Sequence, residues 1–155
     1  MPRPRLRPLL ALAALALALS GCSSTVALEP AGDANNPLCA EVTAYLPSSI
    51  AGQDRRWTDA QSTGAWGNPT TILMTCGVTP PGPSTLPCQT AGGVDWLIDD
   101  TEAPNYRLTS FGRTPAVEVY LDYDVVSSAD VLNALGTLVA KLPKTGECTE
   151  RPGTE

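Results

Sequence analysis

The 155-residue chain contains no histidine. That absence removes Ser–His–Asp and Cys–His triads, histidine general bases and the usual zinc sites, all of which need an imidazole. Lysine is scarce as well. Only Lys141 and Lys144 are present, and neither stands in a Ser-x-x-Lys arrangement that would activate a serine nucleophile. Paired carboxylates are the remaining route to catalysis, since they need only meet in space, and an envelope enzyme is the weakest of the expectations drawn below. One Phe, three Trp and four Tyr stand among 15 Pro and 13 Gly, so the core is small and each covalent staple matters more. No apolar run reaches the roughly 20 residues needed to span a bilayer.

The run that does exist is short and N-terminal. Arg3, Arg5 and Arg7 form a basic region, residues 9–19 an Ala/Leu stretch, and Leu19-Ser20-Gly21-Cys22 a lipobox. This is the order of a lipoprotein signal peptide cut before a diacylated cysteine. With no adjacent arginine pair, the general secretory route is expected rather than the twin-arginine one. Residues 1–21 are therefore expected to be removed and Cys22 to carry lipid. The protein is then extracytoplasmic, anchored to the outer face of the cytoplasmic membrane. The mature chain keeps 134 residues, one domain's worth, with 7 basic against 16 acidic side chains and a net charge of −9. Such a balance disfavours nucleic acid and anionic headgroups, both of which are bound by Lys/Arg clusters. The membrane contact falls to the acyl chains, of which two or more make a stable anchor.

With Cys22 assigned to lipid, Cys39, Cys76, Cys88 and Cys148 remain. An even count in an exported chain reads as two disulfides, with three possible connectivities. The simplest local pairing joins Cys76 to Cys88 around a Pro-rich loop and Cys39 to Cys148 near the termini.

Residues 22–35, poor in apolar side chains, read as a flexible tether of roughly 20 Å. A single domain then covers 36–148, with a loose tail at 149–155. Asn36-Pro37 opens a helix as N-cap and first-turn proline, followed by Leu38, Val42, Tyr45 and Leu46 at helical spacing, with Cys39 at the border. Pro47 ends it. Residues 48–68 read as polar and turn-rich, and residues 79–87, with four prolines, as an exposed loop. Strands are expected over residues 70–76, 94–98, 106–111 and 116–121, the last with Val117, Val119 and Leu121 on one face and Glu118 and Tyr120 on the other. A second helix begins near Ser127, carries Leu132, Leu135, Val139 and Leu142, and stops at Pro143. The expected fold is α+β: an antiparallel sheet of about four strands with two helices on one face, stapled by disulfides.

Several short blocks recur in a known order. They are Cys39-Ala40 with Val42, Leu46 and Pro47; Gly52 with Arg55-Arg56; and Ala65-Trp66-Gly67-Asn68-Pro69. Cys76-Gly77-Val78 with Pro80, Gly93-Val94-Asp95-Trp96 and Arg113-Thr114-Pro115-Ala116-Val117-Glu118-Val119 complete the series. Together they resemble a family of actinobacterial lipoproteins, domain of unknown function 3515, over roughly residues 38–142. The resemblance implies an exported or lipid-anchored protein and brings no activity, cofactor or partner. In that family, equivalents of Cys39 and Cys76 often occur without the other two cysteines. The resemblance therefore favours the pairs Cys39–Cys76 and Cys88–Cys148.

Arg55, Arg56, Trp66, Asp95, Trp96, Arg113 and Glu118 lie in these blocks and are the candidate binding residues. Read as function, they form a polar patch framed by tryptophan, with Arg suited to bidentate grip on carboxylate or phosphate. Read as structure, the indoles pack the core, the charges pair among themselves, and Arg113 and Glu118 close a turn as an ion pair. Asp99-Asp100 with Glu102, and Asp122 with Asp124, lack the spacing of a calcium loop and read as strand ends. No metal or cofactor is expected. The leading functional expectation is a non-catalytic interaction or accessory module with an envelope protein partner. A carrier for an envelope lipid or glycan fragment is the alternative.

Overall fold

The computed structural model describes residues 25–149. The expected signal segment, the expected lipidation site Cys22 and all but the first residue of the expected tail lie outside the described residues.

Among the described residues the order is helix, eight strands, helix. α1 (Pro37–Ala44) begins where Asn36 Oδ1 accepts from the Leu38 amide at 3.1 Å, with Pro37 in the first turn. The strands are β1 (Ser49–Ile50), β2 (Gln53–Arg56), β3 (Thr63–Trp66), β4 (Ile72–Val78), β5 (Cys88–Ala91), β6 (Val94–Asp99), β7 (Asn105–Phe111) and β8 (Ala116–Asp122). α2 (Ser128–Val139) closes the domain. All eight strands join one sheet in the order β1-β2-β3-β4-β8-β7-β6-β5, antiparallel throughout.

The expected four-stranded sheet is thus corrected to eight strands. Strands β4, β6, β7 and β8 carry the period-two apolar pattern; β1, β2, β3 and β5 do not. β2 is polar and largely exposed, and β5 is a polar edge strand. β3 reads Thr-Gly-Ala-Trp and is buried at every position, so neither alternation nor β-branching announces it. These four strands pair because their neighbours offer backbone partners, not because their own side chains demand it.

One face of the sheet holds the core. Ile72, Met74 and Cys76 of β4, Val94 and Trp96 of β6, Leu108 of β7, and Val117, Val119 and Leu121 of β8 meet Cys39 and Val42 of α1. From α2 come Val131, Leu132, Leu135 and Val139. α2 touches both outermost strands, β1 and β5, so the sheet curls around it. Its seat at β5 depends on glycine. Gly92 (φ +60°) lies against Gly136, and a Cβ on Gly136 would fall 2.7 Å from the Gly92 Cα. The Asn133 side chain accepts from the Gly92 amide at 3.0 Å beside this contact.

The expected tether is corrected from residue 26 onward. The Val26 amide donates to Trp57 O at 2.8 Å, the Asp33 amide to Gly77 O at 3.0 Å, and Ser62 Oγ to Ala34 O at 2.6 Å. Gly77, at φ +95°, lacks the side chain that would strike the Asp33 backbone. Hydrogen bonds to its own backbone groups hold this segment, which is why its lack of apolar side chains reads as freedom in the sequence.

The disulfides are Cys39–Cys76 and Cys88–Cys148, with Cα separations of 5.6 and 6.4 Å. The first ties α1 to β4 inside the core, where both cysteines are fully buried. The second crosses from the exposed β5 edge to the C-terminal segment. Each closes a long loop, worth about 4 kcal/mol in the chain-entropy description. Under rising dithiothreitol at neutral pH, Cys88 and Cys148 are expected to alkylate first, with Cys39 and Cys76 protected until global unfolding. Differential alkylation with peptide mass spectrometry reads the order.

Candidate functional site

The seven candidate residues do not gather into one patch. Trp66 and Trp96 are fully buried; their indole N–H groups donate inward to Pro47 O at 3.0 Å and Ala91 O at 3.1 Å. Arg55 donates to Leu46 O at 3.1 Å, and Arg56 to Gly67 O at 3.1 Å, so both lace β2 to neighbouring turns. Arg55, Arg56 and Trp66 sit at the β2–β3 side of the sheet. Asp95, Trp96 and Arg113 lie toward the other end, and Glu118 stands on the uncovered face.

Arg113, in the β7–β8 turn, is 8% exposed. Its guanidinium donates to Ala140 O at 3.0 Å, Leu142 O at 2.8 Å and Gly93 O at 3.1 Å. Ala140 is the C-cap of α2, where aligned peptide dipoles leave partial negative charge, and Leu142 lies in the turn just beyond it. Arg113 therefore caps that helix and ties it to the β5–β6 turn. The expected ion pair between Arg113 and Glu118 is corrected: carbonyls take Arg113, and another arginine takes Glu118.

Asp95, on β6, accepts from the Thr90 hydroxyl at 2.6 Å and from the Cys148 amide at 2.8 Å. Burial alone would raise its pKa, but these two bonds, with the positive charges of Lys144 and Arg113, outweigh it and hold the carboxyl below its ordinary 3.8. Asp95 thus fixes the C-terminal segment just before its disulfide.

The face of the sheet opposite the helices carries what the sequence reading missed. Arg107 of β7 donates to Glu118 of β8 at 2.7 Å and to Glu102 at 3.3 Å. It also lies 5.1 Å from the ring centroid of Tyr120, its partner in register. The Tyr120 hydroxyl donates to Glu102 at 2.9 Å, which pushes the phenol upward from 10.0. Leu73, Thr75, Arg107, Glu118 and Tyr120 line a shallow depression of about 210 Å³. One cation between two carboxylates leaves this network net negative, suited to a partner bearing positive charge. Glu118 and Tyr120 share a face by simple alternation. Arg107 joins them only through the β7–β8 register, and Glu102 only through the loop before β7.

A second concavity, of about 290 Å³, lies between the helices and is lined by Leu38, Glu41, Val42, Tyr45, Leu138, Lys141 and Leu142. Lys141 Nζ sits 5.6 Å from the Tyr45 ring centroid at its edge. Asp99 accepts from the Thr101 hydroxyl and amide, and Asp122 from the Asp124 amide, so both acidic clusters cap their own turns. Among the described residues no group of His, Cys, Asp and Glu is placed to hold a metal.

The model of the family "Protein of unknown function (DUF3515)" matches residues 8–146. The chain belongs to this family. No curated protein and no solved structure matches it. The match extends the span read from the short blocks and takes in both disulfides' first three cysteines, while Cys148 lies just beyond it.

Two predictions separate scaffold from surface. Arg113→Gln is expected to destabilise the domain by about 3 kcal/mol, because it removes buried charge-assisted bonds and leaves carbonyls unsatisfied. Arg107→Gln, in a half-exposed surface network, is expected to cost under about 1 kcal/mol. Urea melts of the two variants check the contrast. For Asp95 the folded carboxyl is depressed, so its contribution is present above pH 3.8 and is lost as pH falls through the lower folded value. The stability gap between wild type and Asp95→Asn should therefore close with acidification across that window, as read by urea melts at stepped pH.

Proposed function

We propose that the protein is a lipid-anchored extracytoplasmic module that docks onto another component of the cell envelope without catalysing a reaction. The observation that carries this reading is the asymmetry of the sheet. One face is sealed by two helices, while the other keeps the Arg107–Glu118–Glu102–Tyr120 network half exposed on rigid central strands. Surface ion pairs of this kind add little to stability, so their use lies in recognition, where charge complementarity sets partner and register. The mature chain's charge of −9 and the extra carboxylate of the network favour a protein partner with a basic patch. The lipobox at Cys22 supplies the location, and the two disulfides suit an oxidising compartment.

A second reading has its own observation. The groove between α1 and α2 combines an apolar floor with Tyr45 and Lys141 at its rim, the makings of a cleft for a glycan fragment or a lipid headgroup. Its volume stands at the lower end of ligand pockets, which start near roughly 300 Å³.

In-cell cross-linking of the lipidated protein, with mass spectrometry of captured species, tests the first reading. One reproducible protein partner is expected, lost in the double variant Glu102→Gln/Glu118→Gln while it remains folded. Capture unchanged in that variant removes the sheet face from the interaction. Absence of any protein partner, together with lipid or glycan retained in native mass spectra, transfers the role to the groove.

A further inference from the structure

Of the three tryptophans, two are fully buried and one is not. Trp57 is 78% exposed, the largest exposed fraction among the big hydrophobic side chains of the described residues. It follows β2 directly, and nothing in its position serves the core. Its backbone carbonyl accepts the Val26 amide at 2.8 Å, and Val26 bridges Thr58 in parallel fashion. Val26 is four residues from Cys22. Four residues, fully extended, span at most about 14 Å. Because the segment from Val26 onward is bonded to the domain, no further slack lies between this corner and the lipobox cysteine.

We infer that Trp57 is a second membrane contact, an indole that enters the interfacial layer of the bilayer holding the acyl anchor. The inference rests on the lipid-anchor reading and adds an orientation to it. Tryptophan concentrates at membrane–water interfaces because its ring is apolar while its N–H seeks a polar neighbour. An acyl chain at Cys22 brings the bilayer surface within reach of this corner, so the exposed indole is desolvated there at little entropic cost. The charges near it along the chain are of both signs: Arg55 and Arg56 with Asp54 and Asp59, and Asp59 accepts from the Leu28 amide of the bonded N-terminal segment. Electrostatic attraction to anionic lipid is therefore not the basis of the contact, and a zwitterionic bilayer suffices. Uncovered polar network and membrane contact are separate surfaces in this arrangement, leaving the sheet face to a partner.

The burial of Trp66 and Trp96 makes Trp57 a built-in reporter. The lipidated protein is reconstituted into phosphatidylcholine vesicles with or without brominated acyl chains, after mass spectrometry of its N-terminal peptide. With lipid present on Cys22, brominated chains are expected to quench a component of the emission that iodide no longer reaches, and Trp57→Phe is expected to lose that component. Blue-shifted emission of Trp66 and Trp96 that neither iodide nor brominated lipid quenches certifies that the variant is folded. Lipid on Cys22 without brominated-lipid quenching, or quenching that persists in Trp57→Phe, overturns the contact and leaves the anchor standing. An N-terminal peptide without lipid overturns the anchor and the contact together.

Discussion

Three separated parts of the chain meet at the guanidinium of Arg113. It stands in the β7–β8 turn, takes the C-cap carbonyl of α2 and that of Leu142 just beyond, and reaches Gly93 in the β5–β6 turn. Around it the main chain adds its own bonds, from Thr114 N to Pro143 O and from Thr145 N to Gly112 O. A buried cation would be costly if left alone, but a helix C-terminus offers oriented dipoles that accept it. The arrangement fixes where α2 stops and therefore where the C-terminal segment turns toward Asp95 and Cys88. The second disulfide is possible only because this junction delivers Cys148 to the β5 edge.

The position of α2 also determines the shape of the sheet. One helix touching both outermost strands requires the sheet to curl, and the Gly92–Gly136 contact lets the helix lie close enough to do so. Curling gives an inner face filled by Trp66, Trp96, Met74 and the aliphatic side chains, and an outer face that no helix among the described residues covers. On the outer face a residue need not pack, so polar side chains there are released for binding. Arg107, Glu102, Glu118 and Tyr120 occupy that freedom. In the proposed reading, docking and anchoring use different parts of one small scaffold.

The candidate site was only partly legible. Glu118 stands out in the alternation of β8, and its orientation away from Val117 and Val119 follows from the pleat alone. Its partner does not. Arg107 belongs to a different strand, eleven residues earlier, and reaches Glu118 through a register set by the intervening turn. Trp66, Trp96 and Arg113 illustrate the converse. Residue types that favour interfaces are equally useful inside a fold, and burial, which separates the two uses, is a property of the whole chain.

Covalent neighbours determined what depends on a few residues at a time: the cap at Asn36 and Pro37, the stripes of the helices, the alternating strands β4, β6, β7 and β8, and an even set of cysteines for two staples. The tertiary structure alone decided the remaining four strands, the docking of residues 26–34, and the partners of Arg113, Arg107 and Asp95. The physical reason is the same in each case. β2, β3 and β5 are strands because a neighbouring strand leaves N–H and C=O groups to be paired, and a buried arginine is satisfied by whichever carbonyls the folded chain brings to it. Such demands are imposed from across the molecule, so no local pattern of side chains can encode them by itself.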